Sequence, residues 1–211
     1  NFKLTPLSFR TQTLCSLPHA DFSFGESPAA CDVSLTVERG ERIALRGENG
    51  SGKSTVLKLL TGELTAQSGI VQVPGDLRIS YLPQNVSGIC GTVAGYAAAH
   101  GADPTLVMAI LNKFDLRSEL FSRDISGYSD GQKKKVALAV SLATPAHLYI
   151  WDEPLNFIDL VSRIQLEELI LRFRPTLLFV EHDAAFCRNV ATRTVELRHP
   201  CRTSGANVRS R

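Results

Sequence analysis

Gly47-Glu48-Asn49-Gly50-Ser51-Gly52-Lys53-Ser54 fits G-x-x-x-x-G-K-[ST], the spacing of a phosphate-binding loop. The glycines let backbone N–H groups curl around a β-phosphate, and a helix starting behind them adds its positive dipole end. Lys53 is placed to reach the β- and γ-phosphates, and the Ser54 hydroxyl to take one position on Mg²⁺, with Thr55 next in the first helical turn. The competing reading is a chance Gly-rich turn; a strand before and a helix after argue against it. Downstream, Leu148-Tyr149-Ile150-Trp151-Asp152-Glu153 is an apolar strand ending in two carboxylates. Such a strand end is ordinary by itself. Paired with a phosphate loop upstream, it offers Asp152 as a second Mg²⁺ anchor and Glu153 as the base for an attacking water.

The elements that must position these groups alternate. Asp21–Phe24 and Asp32–Glu38 read as strands, Arg42–Arg46 as a short strand feeding the loop, and Lys53–Leu60 as a helix closed by Gly62. Gly69–Val73 and Leu77–Leu82 read as two more strands. From Gln84 to about Ile125 the composition shifts toward Ala and Leu with helical spacing, and Thr92–Ala99 and Pro104–Phe114 form a helical insert. Then come a helix over about Gly131–Ala143, a strand His147–Trp151, a helix Leu160–Phe173, a strand Thr176–Glu181, a helix Ala184–Asn189 and a strand Arg193–Leu197. Strands alternating with helices imply an α/β fold on a largely parallel sheet. Residues 1–19 read as a connector or the end of an upstream linker, 20–197 as the folded domain with a helical subdomain at about 85–126, and 198–211 as a frayed basic tail.

Composition bounds the rest. The 211 residues are 44% apolar and 21% charged, which excludes wholesale disorder, and 23 basic against 21 acidic residues leave a net charge of only +2. No apolar stretch approaches the ~20 residues of a membrane helix, and no charged segment followed by an apolar one opens the chain. Five cysteines, Cys15, Cys31, Cys90, Cys187 and Cys201, are scattered with no CxxC pair and read as reduced thiols of a cytosolic protein. The first residue is Asn1 rather than Met, as expected of a piece of something longer.

Tyr128-Ser129-Asp130-Gly131-Gln132, ahead of a helix, resembles the LSGGQ signature of the ATP-binding cassette superfamily. The rest of that pattern follows in order. Gln84 in Tyr81-Leu82-Pro83-Gln84 matches the Q-loop glutamine, Asp159 the D-loop aspartate, and His182 the switch histidine. Phe24 stands where the family stacks an aromatic ring on adenine. Over about residues 20–197 the resemblance implies an ABC-type phosphate-loop NTPase: a RecA-like parallel-sheet core with a small antiparallel β subdomain and an α-helical subdomain. Its ligands would be ATP and Mg²⁺. Phe24, Gly47, Asn49, Gly50, Ser51, Gly52, Lys53, Ser54 and Thr55 would hold the nucleotide, Ser54, Gln84 and Asp152 the metal, and Glu153, His182 and Gln84 would act in hydrolysis. Ser129, Gly131, Gln132 and Asp159 would serve the ATP shared with an opposing cassette.

Asp152-Glu153-Pro154-Leu155-Asn156-Phe157-Ile158-Asp159 is similar to the Glu-Pro-Thr-Asn-His-Leu-Asp string of the soluble ABC-F class rather than to the D-loop of transporter cassettes. With Gly131-Gln132-Lys133-Lys134-Lys135-Val136 it resembles the antibiotic-resistance branch, whose members protect ribosomes from lincosamides, pleuromutilins and streptogramins. That implies a second cassette in the same parent chain, a ribosomal partner, a cytoplasmic location, no membrane insertion, and an isolated domain that is monomeric without ATP and slow in hydrolysis. The alternatives are a transporter's ATPase subunit and a degenerate regulatory cassette. Asp130, where the family has Gly, keeps the last one open: its charge beside a γ-phosphate slows hydrolysis unless it turns outward or pairs with Lys133 or Lys134.

Several features have a plainer reading. Lys133-Lys134-Lys135 suits either ribosomal RNA or a solvated first helical turn, and the charge run favours the second. His182 could be a surface histidine and Phe24 a core residue. Tyr149 and Trp151 read as strand residues facing sheet neighbours.

Overall fold

The computed structural model describes residue 4 and residues 6–198. Two sheets form. β1 (Thr13–Phe24) and β2 (Ser27–Glu38) pair antiparallel. β3 (Arg42–Arg46), β4 (Ile79–Leu82), β5 (Leu148–Asp152), β6 (Leu177–Val180) and β7 (Arg193–Glu196) make a parallel sheet in the order β4-β5-β6-β3-β7. The helices are α1 (Lys53–Thr61), α2 (Val93–Ala99), α3 (Pro104–Lys113), α4 (Asp130–Ala143), α5 (Leu160–Phe173) and α6 (Ala184–Val190). The expected α/β architecture, with a parallel core, a small antiparallel sheet and a helical insert, is the one observed.

The central strands β3, β5 and β6 are buried on both faces and read as near-continuous apolar runs, while the edge strand β7 is largely exposed. Alternate residues serve different cores. Tyr149, Trp151, Leu177, Phe179 and Ala44 face α4, α5, α6 and the insert, while Ile150, Leu178, Ile43 and Leu45 face α1 and the antiparallel sheet. Trp151 reaches past its sheet neighbours: its Nε1 donates to Ser141 Oγ of α4 at 2.9 Å, and that hydroxyl lies 2.8 Å from Ser80 Oγ of β4. A buried indole N–H needs such a partner, and this one ties α4 to two strands.

Some boundaries differ from the expected ones. β1 begins at Thr13 instead of Asp21, so part of the stretch read as a connector is strand. Pro18, and His19 at φ 52, sit where the pairing with β2 shifts register, which hides the strand's alternation. Ahead of β1, Leu7 N–H bonds Ala146 O at 2.9 Å, and Phe9 meets His147 edge-on at 4.9 Å. Gly69–Val73 is not a strand; isolated bridges at Gln72 and at the preceding Ser68, with a bond from the Ile70 N–H to Pro18 O, hold it against β1. Expected Leu77–Leu82 shortens to β4. The tail at 199–211, with Cys201, lies outside the described residues. Among those described, no helix is long and apolar enough to cross a membrane.

Candidate active site

The strand β3 delivers the phosphate loop and α1 leaves it, so the loop must turn sharply. Gly52 sits at φ 87 as the N-cap of α1, and a Cβ there would run into the Ala29 carbonyl oxygen of β2. No side chain caps α1, which leaves its first N–H groups turned to the loop. Lys53 Nζ donates to Gly47 O and Glu48 O, both at 2.8 Å.

An open cleft of about 440 Å³ gathers Phe24, Asn49, Gly50, Gly52, Lys53, Ser54, Thr55, Gln84, Glu153 and His182. These expected site residues come from strands, loops and helices far apart in the chain. Gly47 lines the neighbouring cleft with Lys53 and His182, and Ser51 lies buried beneath the loop. Phe24 is 59% exposed and meets Phe22 edge-on, so it is a cleft residue rather than a core one.

Glu153 is the centre of a polar cluster. Its Oε2 accepts from Gln84 Nε2 at 2.8 Å and from Asn156 Nδ2, while His182 Nε2 lies 3.4 Å from Oε1. Partial burial works against the charge on Glu153, but the donors Gln84 and Asn156 and the nearby His182 outweigh it and hold its carboxyl below the usual range. The backbone at Glu153 is left-handed, φ 48, a strained conformation for a non-glycine residue of the kind that gathers at functional sites.

Asp152 is buried, which pushes its carboxyl up against the opposing effect of the Ser54 hydroxyl. Its Oδ1 and Ser51 Oγ are the two buried side-chain polar atoms with no hydrogen-bond partner among the described residues. An orphaned carboxylate oxygen beside a serine hydroxyl is the all-oxygen donor set that suits Mg²⁺, so these residues fit that ion.

The signature and D-loop residues lie outside this cleft. Ser129 and Gln132 form a reciprocal capping box at the start of α4. Gly131 lies so close to the D-loop that a Cβ would sit 2.6 Å from Phe157 O. Asp159 caps α5 through Ser162 N at 2.9 Å and pairs with Lys135 Nζ at 2.6 Å. Burial disfavours its charge, yet Lys135 and Ser162 prevail and hold the carboxyl at about 2. A depressed carboxyl stabilises the fold above its unfolded value near ~3.9 and loses that contribution as pH falls through the folded value. Urea midpoints of the wild type and Asp159→Asn should therefore converge between about pH 5 and about pH 2. A gap that stays constant would contradict the pairing.

One sequence reading is corrected here. Lys134 and Lys135 are buried, so neither a solvated turn nor an RNA contact describes them. Lys134 Nζ donates to Pro83, Gln84 and Asp152 carbonyls, and burial pushes its ammonium down to about 8 despite the carboxylates of Asp152, Glu153 and Glu181. Lys133 Nζ donates to Ser87 O at 3.0 Å. Asp130 pairs with neither Lys133 nor Lys134, and it is exposed.

Sequence reasoning missed Glu181. Its Oε1 accepts from the His182 N–H at 2.7 Å and the Asp183 N–H at 3.3 Å, and its Oε2 accepts from the Leu155 N–H at 3.1 Å. One buried carboxylate thus fixes the backbone at His182 and at the turn following Glu153. Asp183 is held in turn by a two-pronged bond from Arg163, at 2.5 and 2.8 Å.

A family model described as "ABC transporter" matches residues 30–156. The chain is 33% identical over 183 residues to the ATP-binding protein Uup of Caulobacter vibrioides, covering 82% of this chain and 30% of that protein. It is 29% identical over 198 residues to ABC transporter F family member 5 of Arabidopsis thaliana, covering 90% of this chain and 28% of that protein. It thus spans under a third of the length of these curated relatives. Among solved structures it resembles one titled "Structure of ATP binding subunit of ABC transporter", with a TM-score of 0.76, 24% identity and 88% of each chain covered. It also resembles one titled "RNase-L Inhibitor", with a TM-score of 0.75, 26% identity, and 89% of this chain and 38% of that chain covered.

Proposed function

The chain belongs to the ABC transporter ATPase family, and from that premise we propose that it is one cassette of an ABC-F protein that binds the ribosome and protects it from antibiotics. One observation carries the cassette reading: Lys53, Ser54, Gln84, Glu153 and His182 converge on one cleft, while Ser129, Gly131 and Asp159 lie outside it. Such a chain supplies the floor of one ATP site and the cap of another. The F-family relatives and the Asn156 D-loop, whose amide donates to Glu153, support the ABC-F class.

In this reading ATP lies along the cleft with adenine against Phe24 and its phosphates in the loop. Lys53 turns from the Gly47 and Glu48 carbonyls to the β- and γ-phosphates. Ser54, Asp152 and the Gln84 amide oxygen would hold Mg²⁺, which supplies charge neutralisation on the phosphate oxygens. Glu153, ionised at neutral pH, takes a proton from the water that attacks the γ-phosphorus as the bond to the ADP oxygen breaks. His182 steadies the γ-phosphate oxygens, and Glu181 keeps His182 in place.

The partner is a second cassette in the same polypeptide. Phe157 and Leu160, beside the signature loop, are 73% and 68% exposed, an apolar surface that such a partner would cover. The isolated domain is monomeric without ATP and acts in the cytoplasm when part of its parent.

The test uses the full-length parent with Glu153→Gln and the matching change in its other cassette, so that ATP stays bound. Lysate with ATP is run on a sucrose gradient. Co-migration with 70S ribosomes supports the reading and justifies drug-protection assays. Migration with membranes replaces it with a transporter subunit, and protein left at the top replaces it with a regulatory cassette in which Asp130 blocks the cycle.

A further inference from the structure

Lys134 is 1% exposed and sits on α4, the helix that opens with Ser129 and Gly131. Its Nζ lies 3.2 Å from Gln84 O, 3.3 Å from Pro83 O and 3.4 Å from Asp152 O. An ammonium has three donors and no acceptor, and here all three meet backbone carbonyls, two on the segment after β4 and one at the end of β5. No carboxylate lies within ion-pairing distance of it among the described residues. Burying a charge this way is costly, and an apolar side chain of the same length would fill the space without that cost. Packing therefore does not account for a lysine here, whereas three carbonyls to be held together do.

The held carbonyls belong to the site. Gln84, whose carbonyl Lys134 fixes, places its own side-chain Nε2 on Glu153 Oε2 at 2.8 Å. We propose that Lys134 is a positioning residue that sets the Gln84 amide against Glu153 and links it to the signature loop at the head of the same helix. Closure of a partner over Ser129 and Gly131 thereby reaches the glutamine and base of this chain's own site. The inference rests on the reading of Glu153 as the base.

The experiment is a double-mutant cycle in the full-length polypeptide, with Lys134→Met, Gln84→Ala and both together. It reads kcat and KM for ATP and the affinity for trinitrophenyl-ATP. Lys134→Met should lower kcat by roughly tenfold, the effect of losing one buried hydrogen-bond set, with KM and nucleotide affinity within about twofold. Added to Gln84→Ala, it should cost no more than about twofold further, since both changes remove one interaction. Multiplicative losses, an unchanged kcat, or a loss confined to KM would overturn the proposal. If the methionine variant does not fold, Lys134→Gln, which keeps an N–H donor, takes its place under the same criteria. A wild type that turns over no ATP overturns the base reading and this inference with it; an active wild type with an additive cycle overturns the inference alone.

Discussion

Glu153→Gln should lower ATP turnover by ~10²–10⁴-fold while leaving ATP affinity within a few-fold of the wild type, the size expected when a positioned base is removed. The geometry explains the separation of the two effects. Glu153 holds two amide donors on one oxygen and faces His182 with the other, and none of these groups belongs to the loop of residues 47–54. Glutamine keeps the size of the side chain and one acceptor oxygen but takes no proton at neutral pH. Turnover and nucleotide binding measured on the same preparation would check it. A loss under tenfold would place the base elsewhere.

Lys53→Met should do the opposite, weakening ATP by ~10–100-fold, the value of charge-assisted hydrogen bonds to phosphate. Stability should change by no more than about 1 kcal/mol, because Lys53 holds only carbonyls of its own loop, Gly47 and Glu48, at the edge of an open cleft. Titration with a fluorescent nucleotide and a urea melt distinguish the outcomes. Unchanged affinity would mean that the loop is a structural turn.

What could be read from the sequence was local. The phosphate loop needs glycines at fixed offsets between a strand and a helix, and Leu148–Asp152 announces itself as a buried strand by being apolar up to its final carboxylate. What escaped depends on tertiary neighbours. The Lys133-Lys134-Lys135 run has the composition of a wet surface, and only the fold brings carbonyls of Pro83, Gln84, Asp152 and Phe114 within reach of its two buried members. Glu181 looks like an ordinary polar residue just after β6, and no spacing rule connects it to the Leu155 N–H. The part of β1 ahead of Asp21 hid as a strand because the register slips around Pro18 and His19. The sequence carried the residues that line the cleft; the residues that hold them appeared only with the fold.

The central claim is that this chain holds half of a shared ATP site. The direct measurement is ATP turnover per molecule of the 211-residue chain across a hundredfold range of protein concentration. The account predicts slow turnover that rises with concentration, as one copy's Ser129 and Gly131 come to cap the ATP in another's cleft. High turnover that stays constant with concentration would contradict it, because the cleft around Lys53 and Glu153 would then be complete by itself.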